Sequence, residues 1–242
     1  MSTPTRRPLA FLAPMPAELE PLQAAMALHA DRPGPTAWHT GSLDGRPVVA
    51  ALCGIGVRRA TARAHEILHA HTPAHVIVIG VAGALAAHLQ VGDVVIPDVV
   101  IDLADDRELH PTQLGTSATS GRLLTSDDFI KDPATLTRLR DAGATAIDME
   151  TAAIARVCED NGVTWSAYRG ISDDAFDPLV DEAVLALTQP DGTPDLRAVA
   201  RFVGRNPSRV RLLKRLARDL HAATTGAVDA ALRASRSATG SE

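Results

Sequence analysis

The residues of this chain best suited by type and spacing to do chemistry are carboxylates at element junctions. Asp148 and Glu150 stand where a short strand, Ala144 to Ile147, is expected to give way to an apolar-periodic helix. Asp173 and Asp174 follow a second expected strand, Val163 to Ile171. In an open α/β sheet, ligands bind in the crevice outside the carboxyl ends of the strands. Acids delivered there are placed for proton transfer. Burial beside a second carboxylate, as Asp174 is beside Asp173, favours a neutral acid that can donate a proton.

Two other patterns invite chemistry. His65-Glu66-Ile67-Leu68-His69 matches the H-E-x-x-H pattern of zinc hydrolases, with His75 at the spacing of a third ligand. However, Thr72 stands where the turn to that ligand needs glycine, and Pro73 intervenes. Ala60, Ala64, Ile67 and Leu68 claim the inner face of the helix, so His65 and His69 are expected at its exposed edge and no metal is expected. Gly54-Ile55-Gly56 precedes the same helix but lacks a third glycine or a Gly-Lys-Ser/Thr sequence. It reads as a tight strand-to-helix turn or a close approach of backbone to a ligand, rather than a phosphate loop.

Stepping outward, Leu9 to Ala13 reads as a first strand and Pro16 to Leu28 as a helix with Pro in its first turn. Ala37 to Leu43 and Val48 to Cys53 flank Asp44-Gly45, a hairpin signal. A helix to about Ala70 follows. His75 to Ile79 and Asp93 to Ile101 are β-branched runs typical of buried strands. Residues 102 to 121 are polar and without periodicity, a long stretch to lack an element. Past Asp177 the pattern is helical: Asp181 to Leu187, Asp195 to Gly204, and a long helix from Pro207 to about Ala234. On that last helix, Leu212, Leu213, Leu216 and Leu220 form the apolar stripe. Arg209, Arg211, Lys214, Arg215 and Arg218 read as a solvated face. The fold class is α/β, one domain over residues 8–234 built on a central mixed, largely parallel sheet flanked by helices. Residues 179–234 form a helical C-terminal extension, and residues 1–7 and 235–242 are flexible termini.

With 242 residues, 45% of them hydrophobic, the chain can bury a large core. Its net charge of −5 gives no reason to expect nucleic acid or a membrane as partner. Aromatics at 3% argue against a base-stacking platform. Cys53 and Cys158 read as buried thiols rather than a disulfide, which fits a reducing compartment. No run is long and apolar enough to span a membrane, and no signal peptide is evident, so a cytoplasmic location is expected.

An ordered set of short motifs resembles the purine nucleoside phosphorylase and nucleosidase family, closest to 5′-methylthioadenosine/S-adenosylhomocysteine nucleosidases. The set is Ala13-Pro14-Met15-Pro16-Ala17-Glu18-Leu19, Cys53-Gly54-Ile55-Gly56, Val78-Ile79-Gly80-Val81-Ala82-Gly83, Val91-Gly92-Asp93-Val94-Val95, Asp148-Met149-Glu150 and Gly170-Ile171-Ser172-Asp173. The resemblance implies cleavage of a purine N-glycosidic bond without a cofactor. It makes Asp173 the acid that protonates the base and Glu18 the activator of water. Glu150, beside Met149, binds the ribose hydroxyls, and Phe129 and Ile130 meet the base. Val81, Ala82 and Gly83 lie on the sugar side. It also implies a homo-oligomer, with a dimer favoured.

Departures from the family pattern shape the expectation. Val76 to Gly83 carries no arginine for a phosphate, which favours water over phosphate as nucleophile, and Val81 replaces a serine usual in nucleosidases. The shortened 102–122 stretch and the long C-terminal extension imply a divergent member. Its substrate would carry an unusual or bulky 5′ group, such as an adenosyl-lipid or a futalosine-like compound. The alternatives are a phosphate-dependent phosphorylase, a non-catalytic nucleoside-binding protein and, more distantly, a zinc hydrolase.

Overall fold

The computed structural model describes residues 6–115, 118–177, 180, 184, 186–189, 191–206 and 209–239. The chain order is β1 (Leu9–Ala13), α1 (Pro16–Met26), β2 (His29–Ala30), β3 (His39–Leu43), β4 (Arg46–Leu52), α2 (Val57–His71), β5 (His75–Ala84), β6 (Val94–Val95) and β7 (Val99–Asp102). It continues with β8 (Arg107–Leu109), β9 (Arg122–Thr125), α3 (Pro133–Asp141), β10 (Ala144–Asp148), α4 (Thr151–Asp160), β11 (Thr164–Asp174), α5 (Leu196–Arg205) and α6 (Arg209–Thr239).

The eleven strands among the described residues join one sheet, whose main path runs β2-β3-β4-β1-β5-β10-β9-β7-β8. The longest ladder, β5 with β11, is parallel, as are β1–β4, β1–β5, β9–β10 and β7–β9. Antiparallel pairs include the β3–β4 hairpin, where Asp44 and Gly45 both take positive φ, as a type I′ turn requires. β1 shows why its sequence is apolar at every position. Ala10 and Leu12 pack with Ala60, Ala64 and Ile67 of α2 and Ile154 of α4. Leu9, Phe11 and Ala13 pack on the other face with Leu19 and Leu22 of α1 and Ala227, Val228 and Ala231 of α6. The two-residue period of the strand thus feeds two helical layers.

The site is prepared by a fork in β5. One edge of this strand is covered by β11 throughout. The other pairs with β1 only as far as Val78 and with β10 only from Gly83. Between them Ile79 to Ala82 present backbone that no strand claims. β11 contributes a second irregularity, a register shift between Ile171 and Asp173 that breaks the regular alternation just before the acid.

Several expectations need correction. Asp173 and Asp174 do not follow β11 but form its last two residues, since the ladder with β5 continues past the bulge. The run Asp93 to Ile101 splits into β6 and β7 around Pro97, which cannot donate to a ladder. Residues 102–121 are not without structure, because β8 returns antiparallel along β7. The last helix extends beyond Ala234 to Thr239, with Ser235 buried and Arg236 and Ser237 exposed. Pro207, most of Asp181 to Leu187, and the extreme termini lie outside the described residues. Among the described residues no helix is long and apolar enough to cross a membrane.

Candidate active site

α1 begins after Met15 with Pro16 in its first turn, and Glu18 occupies the third helical position. Glu18 Oε2 accepts from the Met15 backbone N–H at 2.7 Å, the return half of a capping box. Its Oε1 accepts from Val81 N–H at 2.8 Å, one of the groups released by the fork in β5. Only 1% of Glu18 is exposed, which excludes a solvated first-turn glutamate. Burial pushes its carboxyl up to about 7, opposed chiefly by Arg169. Near neutral pH this group is divided between acid and base, the condition for accepting a proton from water. Gly80 makes the approach possible: a Cβ there would sit 2.5 Å from Glu18 Oε1 and collide with Arg169 Nη1.

Glu150 caps α4 at the end of β10. Its Oε1 accepts from Gly56 N–H at 2.9 Å, and Asp127 Oδ1 accepts from the next N–H, that of Val57, at 2.9 Å. The Gly54-Ile55-Gly56 turn therefore spends its free amides on two carboxylates, which accounts for the absence of phosphate-loop character. Glu150 also lies 3.6 Å from Arg169 Nη2. Burial raises its carboxyl well above the usual range, again with Arg169 as the main opposing influence.

Beneath these acids sits Arg169 of β11, fully buried, with Nη2 2.7 Å from Asp148 Oδ2. Its Nε donates to Thr151 Oγ1 at 3.0 Å. Asp148 in turn accepts from Thr125 Oγ1 at 2.6 Å and from the Thr151 hydroxyl. Nearly every lone pair of Asp148 is therefore engaged, as a buried ion pair requires. Asp148 itself lines the cavity, and among the described residues Arg169 is the cation that offsets it and the neighbouring glutamates.

Asp173 faces the same space from the end of β11. Ser172 Oγ donates to its Oδ1 at 2.6 Å. Burial raises its carboxyl, opposed by the Ser172 bond and by Lys131, while the nearby Asp177 and Asp174 add small upward pushes. The anticipated effect of Asp174 is thus minor, because that residue is exposed and accepts from Phe176 N–H in the following turn. Lys131 Nζ donates to the carbonyls of Ala175 at 2.9 Å and Asp177 at 3.3 Å, and lies 5.1 Å from the Phe129 ring centre. It ties the segment that carries Phe129 to the turn after the acid.

All nine residues singled out from sequence, Glu18, Val81, Ala82, Gly83, Phe129, Ile130, Met149, Glu150 and Asp173, line one cavity of about 250 Å³. Sequence reasoning missed Arg169 and Lys131, although a lone arginine in the otherwise uncharged run Trp165 to Ile171 was a usable signal. It also missed Val180, Val184 and Thr188, which bring the segment before α5 into the cavity wall. The zinc-like motif builds nothing. His65 and His69 are exposed, while His75 is buried and hydrogen-bonds Thr164 Oγ1 and Ser166 Oγ at 2.8 and 3.0 Å. Cys53 and Cys158 are buried free thiols.

Known proteins resemble this chain in sequence and in fold. The 5′-methylthioadenosine/S-adenosylhomocysteine nucleosidase of Anoxybacillus flavithermus (strain DSM 21510 / WK1) is 30% identical over 166 residues, 56% of this chain and 72% of the relative. The fold matches the nucleosidase of the same description from Neisseria meningitidis, solved with methylthio-immucillin-A, at a TM-score of 0.71 and 21% identity, covering 96% of this chain and 99% of that one. It also matches the futalosine hydrolase of Helicobacter pylori at a TM-score of 0.69 and 17% identity, over 98% of both chains. The sequence pattern of the phosphorylase superfamily matches residues 8–113 and 108–204, and the chain belongs to that superfamily.

Proposed function

We propose that this protein hydrolyses the N-glycosidic bond of an adenosine derivative. The observation that carries the reading is the convergence of the buried Glu18 and Glu150 and the half-buried Asp173 on one largely apolar cavity. Asp173, whose carboxyl burial raises from its ordinary range, donates a proton to the base nitrogen as the bond to the sugar breaks. Positive charge develops on the sugar, and the carboxylates facing it stabilise that charge. Glu150 meets the ribose hydroxyls. Glu18, with both oxygens fixed by backbone amides, accepts the proton of the attacking water. Phe129 lies against the base, and the Ile130 backbone meets its edge.

Electrostatics favour water over phosphate. Lys131 is the single cation among the described lining residues, and it is committed to two backbone carbonyls. Arg169 is held behind the carboxylates by Asp148. A phosphate dianion would meet the carboxyl groups of Glu18, Asp128, Asp148, Glu150 and Asp173 with no free cation among the described lining residues, so nothing there offsets its charge. The same shortage bears on the 5′ end of the substrate. Met15, Ile55, Val180 and Val184 offer apolar walls, which suit an apolar 5′ substituent better than a charged one.

The test is release of base from 5′-methylthioadenosine with and without inorganic phosphate, with the sugar product identified. Free sugar at equal rates in both conditions is the expected result. A sugar 1-phosphate formed only with phosphate would overturn the hydrolytic reading. Saturable binding without any base release would reduce the protein to a nucleoside-binding module.

A further inference from the structure

Between Leu196 and Arg218 the chain carries eight of its 24 Lys and Arg and none of its 29 Asp and Glu. The remainder holds 16 cations against 29 acids, so the net charge of −5 averages over a divided molecule. The structure separates these cations further. Arg209 turns inward, 4.2 Å from the Phe202 ring centre, and Arg215 pairs with Asp177 at 2.7 Å. Arg218 pairs with its neighbour Asp219. Arg197, Arg201, Arg211 and Lys214 are exposed and make no ion pair within 4 Å among the described residues, although Arg197 and Arg201 are near enough to Asp195 to lower its carboxyl.

These free cations share helix faces with exposed apolar groups. On α5 the exposed positions Leu196, Arg197, Ala200, Arg201 and Gly204 recur at one-turn steps, so they form a single face. On α6 the same holds for Val210, Arg211, Lys214, Ala217 and Arg218. Leu196 is 76% exposed and Val210 38%, two of the three large hydrophobics that the described residues leave in solvent. The leucines at 212, 213, 216 and 220 are half-buried on the remaining side of the helix.

We propose that the exposed faces of α5 and α6 dock this protein on an anionic lipid bilayer. Leu196 and Val210 enter the headgroup boundary while the four free cations meet the lipid charges. Basic faces interleaved with apolar side chains bind such interfaces by both forces together. A nucleic acid fits less well, because Leu196 and Val210 gain nothing from a phosphate backbone and no aromatic is exposed on these faces to stack on a base. A second copy of the chain also fits less well. A stable contact needs an apolar centre, and these faces offer two large apolar residues among alanines and glycine. Val184 and Thr188 line the cavity, and the chain leads from Thr188 through the Thr188–Pro194 bridge to Asp195, which caps α5.

The experiment is co-sedimentation of the intact protein with phosphatidylcholine vesicles, with and without phosphatidylglycerol, across a salt series. Binding is expected only to the anionic vesicles and is expected to weaken as salt rises. Each basic residue at an anionic surface strengthens partitioning roughly fivefold, so the R197Q/R201Q/R211Q/K214Q variant is expected to lose roughly several hundredfold. L196S/V210S is expected to weaken binding without removing its salt dependence. Circular dichroism and urea midpoints unchanged from wild type show that the fold is intact in both variants. Paired variants confined to α5 or to α6 serve if the fourfold change perturbs the fold. Three results would overturn the proposal: wild-type protein left in the supernatant at low salt, undiminished binding by the fourfold variant, or tighter binding to random duplex DNA than to the anionic vesicles. Conversion of a wild-type oligomer to monomer by the fourfold change would instead assign the face to a second copy.

Discussion

Arg169→Met tests whether one buried cation sets the charge state of the whole cavity. The guanidinium is fully buried, 2.7 Å from Asp148 and 3.6 Å from Glu150. Removing one partner of such a pair costs about 3–5 kcal/mol, because the remaining charge stays in a medium that solvates it poorly. Methionine replaces much of the apolar stem, so the loss is mainly electrostatic. For a domain of this size, that corresponds to roughly 10 °C in melting temperature. The pH dependence is the sharper part. Glu18 and Glu150 already titrate above the ordinary carboxylate range because they are buried, and Arg169 is the main influence holding them down. Without it both rise further. The native state then keeps protons that the unfolded chain releases above a pH of about 4.5, so stability falls as pH rises. The deficit of the variant is therefore expected to be smaller at about pH 5.5 than at about pH 8. Urea unfolding followed through Trp165, buried at 2% exposure, reads both values. With Glu18 as the proposed base, the alkaline-rising limb of base release follows its carboxyl, raised to about 7 in the wild type, and is expected to move upward as well. A deficit below about 1 kcal/mol, or one equal at both pH values, would refute the assignment of Arg169 as the charge-setting group.

Other changes probe single links. Asp173→Asn keeps the shape but removes the donated proton; turnover is expected to drop by about 10²–10⁴-fold with an unchanged urea midpoint, and wild-type-like kinetics would count against the acid assignment. Gly80→Ala places a Cβ against Glu18 and Arg169 at φ +148, so stability is expected to fall by about 1–3 kcal/mol together with activity. The zwitterionic tail of S-adenosylhomocysteine meets no unengaged cation in the described wall, so its kcat/KM is expected to lie below that of 5′-methylthioadenosine. Equal values would show that the 5′ end does not discriminate by charge.

Much of this site was legible in the sequence because its parts are local. A strand-end acid such as Asp173, a capping residue such as Glu150 and a first-turn glutamate such as Glu18 each lie inside a short motif whose backbone geometry follows from its own residues. α3 was also within reach: Asp132-Pro133 is an N-cap followed by proline in the first turn, and Asp132 Oδ2 accepts from Thr135 N–H at 2.8 Å. The missed features are those decided by strand pairing over long separations. Nothing around Val81 shows that β1 stops at Val78 and β10 joins only at Gly83, yet that gap is what frees the amide Glu18 takes. Similarly, the bulge after Ile171 arises from the ladder with β5, which is why β11 carries its acids within the strand rather than beyond it.

α6 has a mechanical consequence that its packing alone does not announce. At 31 residues it is a rod of about 46 Å. Its second half is packed in the core through Ala223, Ala227 and Ala231, while its first half is at most half-buried. Arg215, near the middle of that first half, pairs with Asp177, whose backbone carbonyl Lys131 also holds. A displacement of the first half is therefore passed through this pair to the turn that follows Asp173. Shortening or displacing that half would change the tension on the turn beside the acid without touching any residue that lines the cavity.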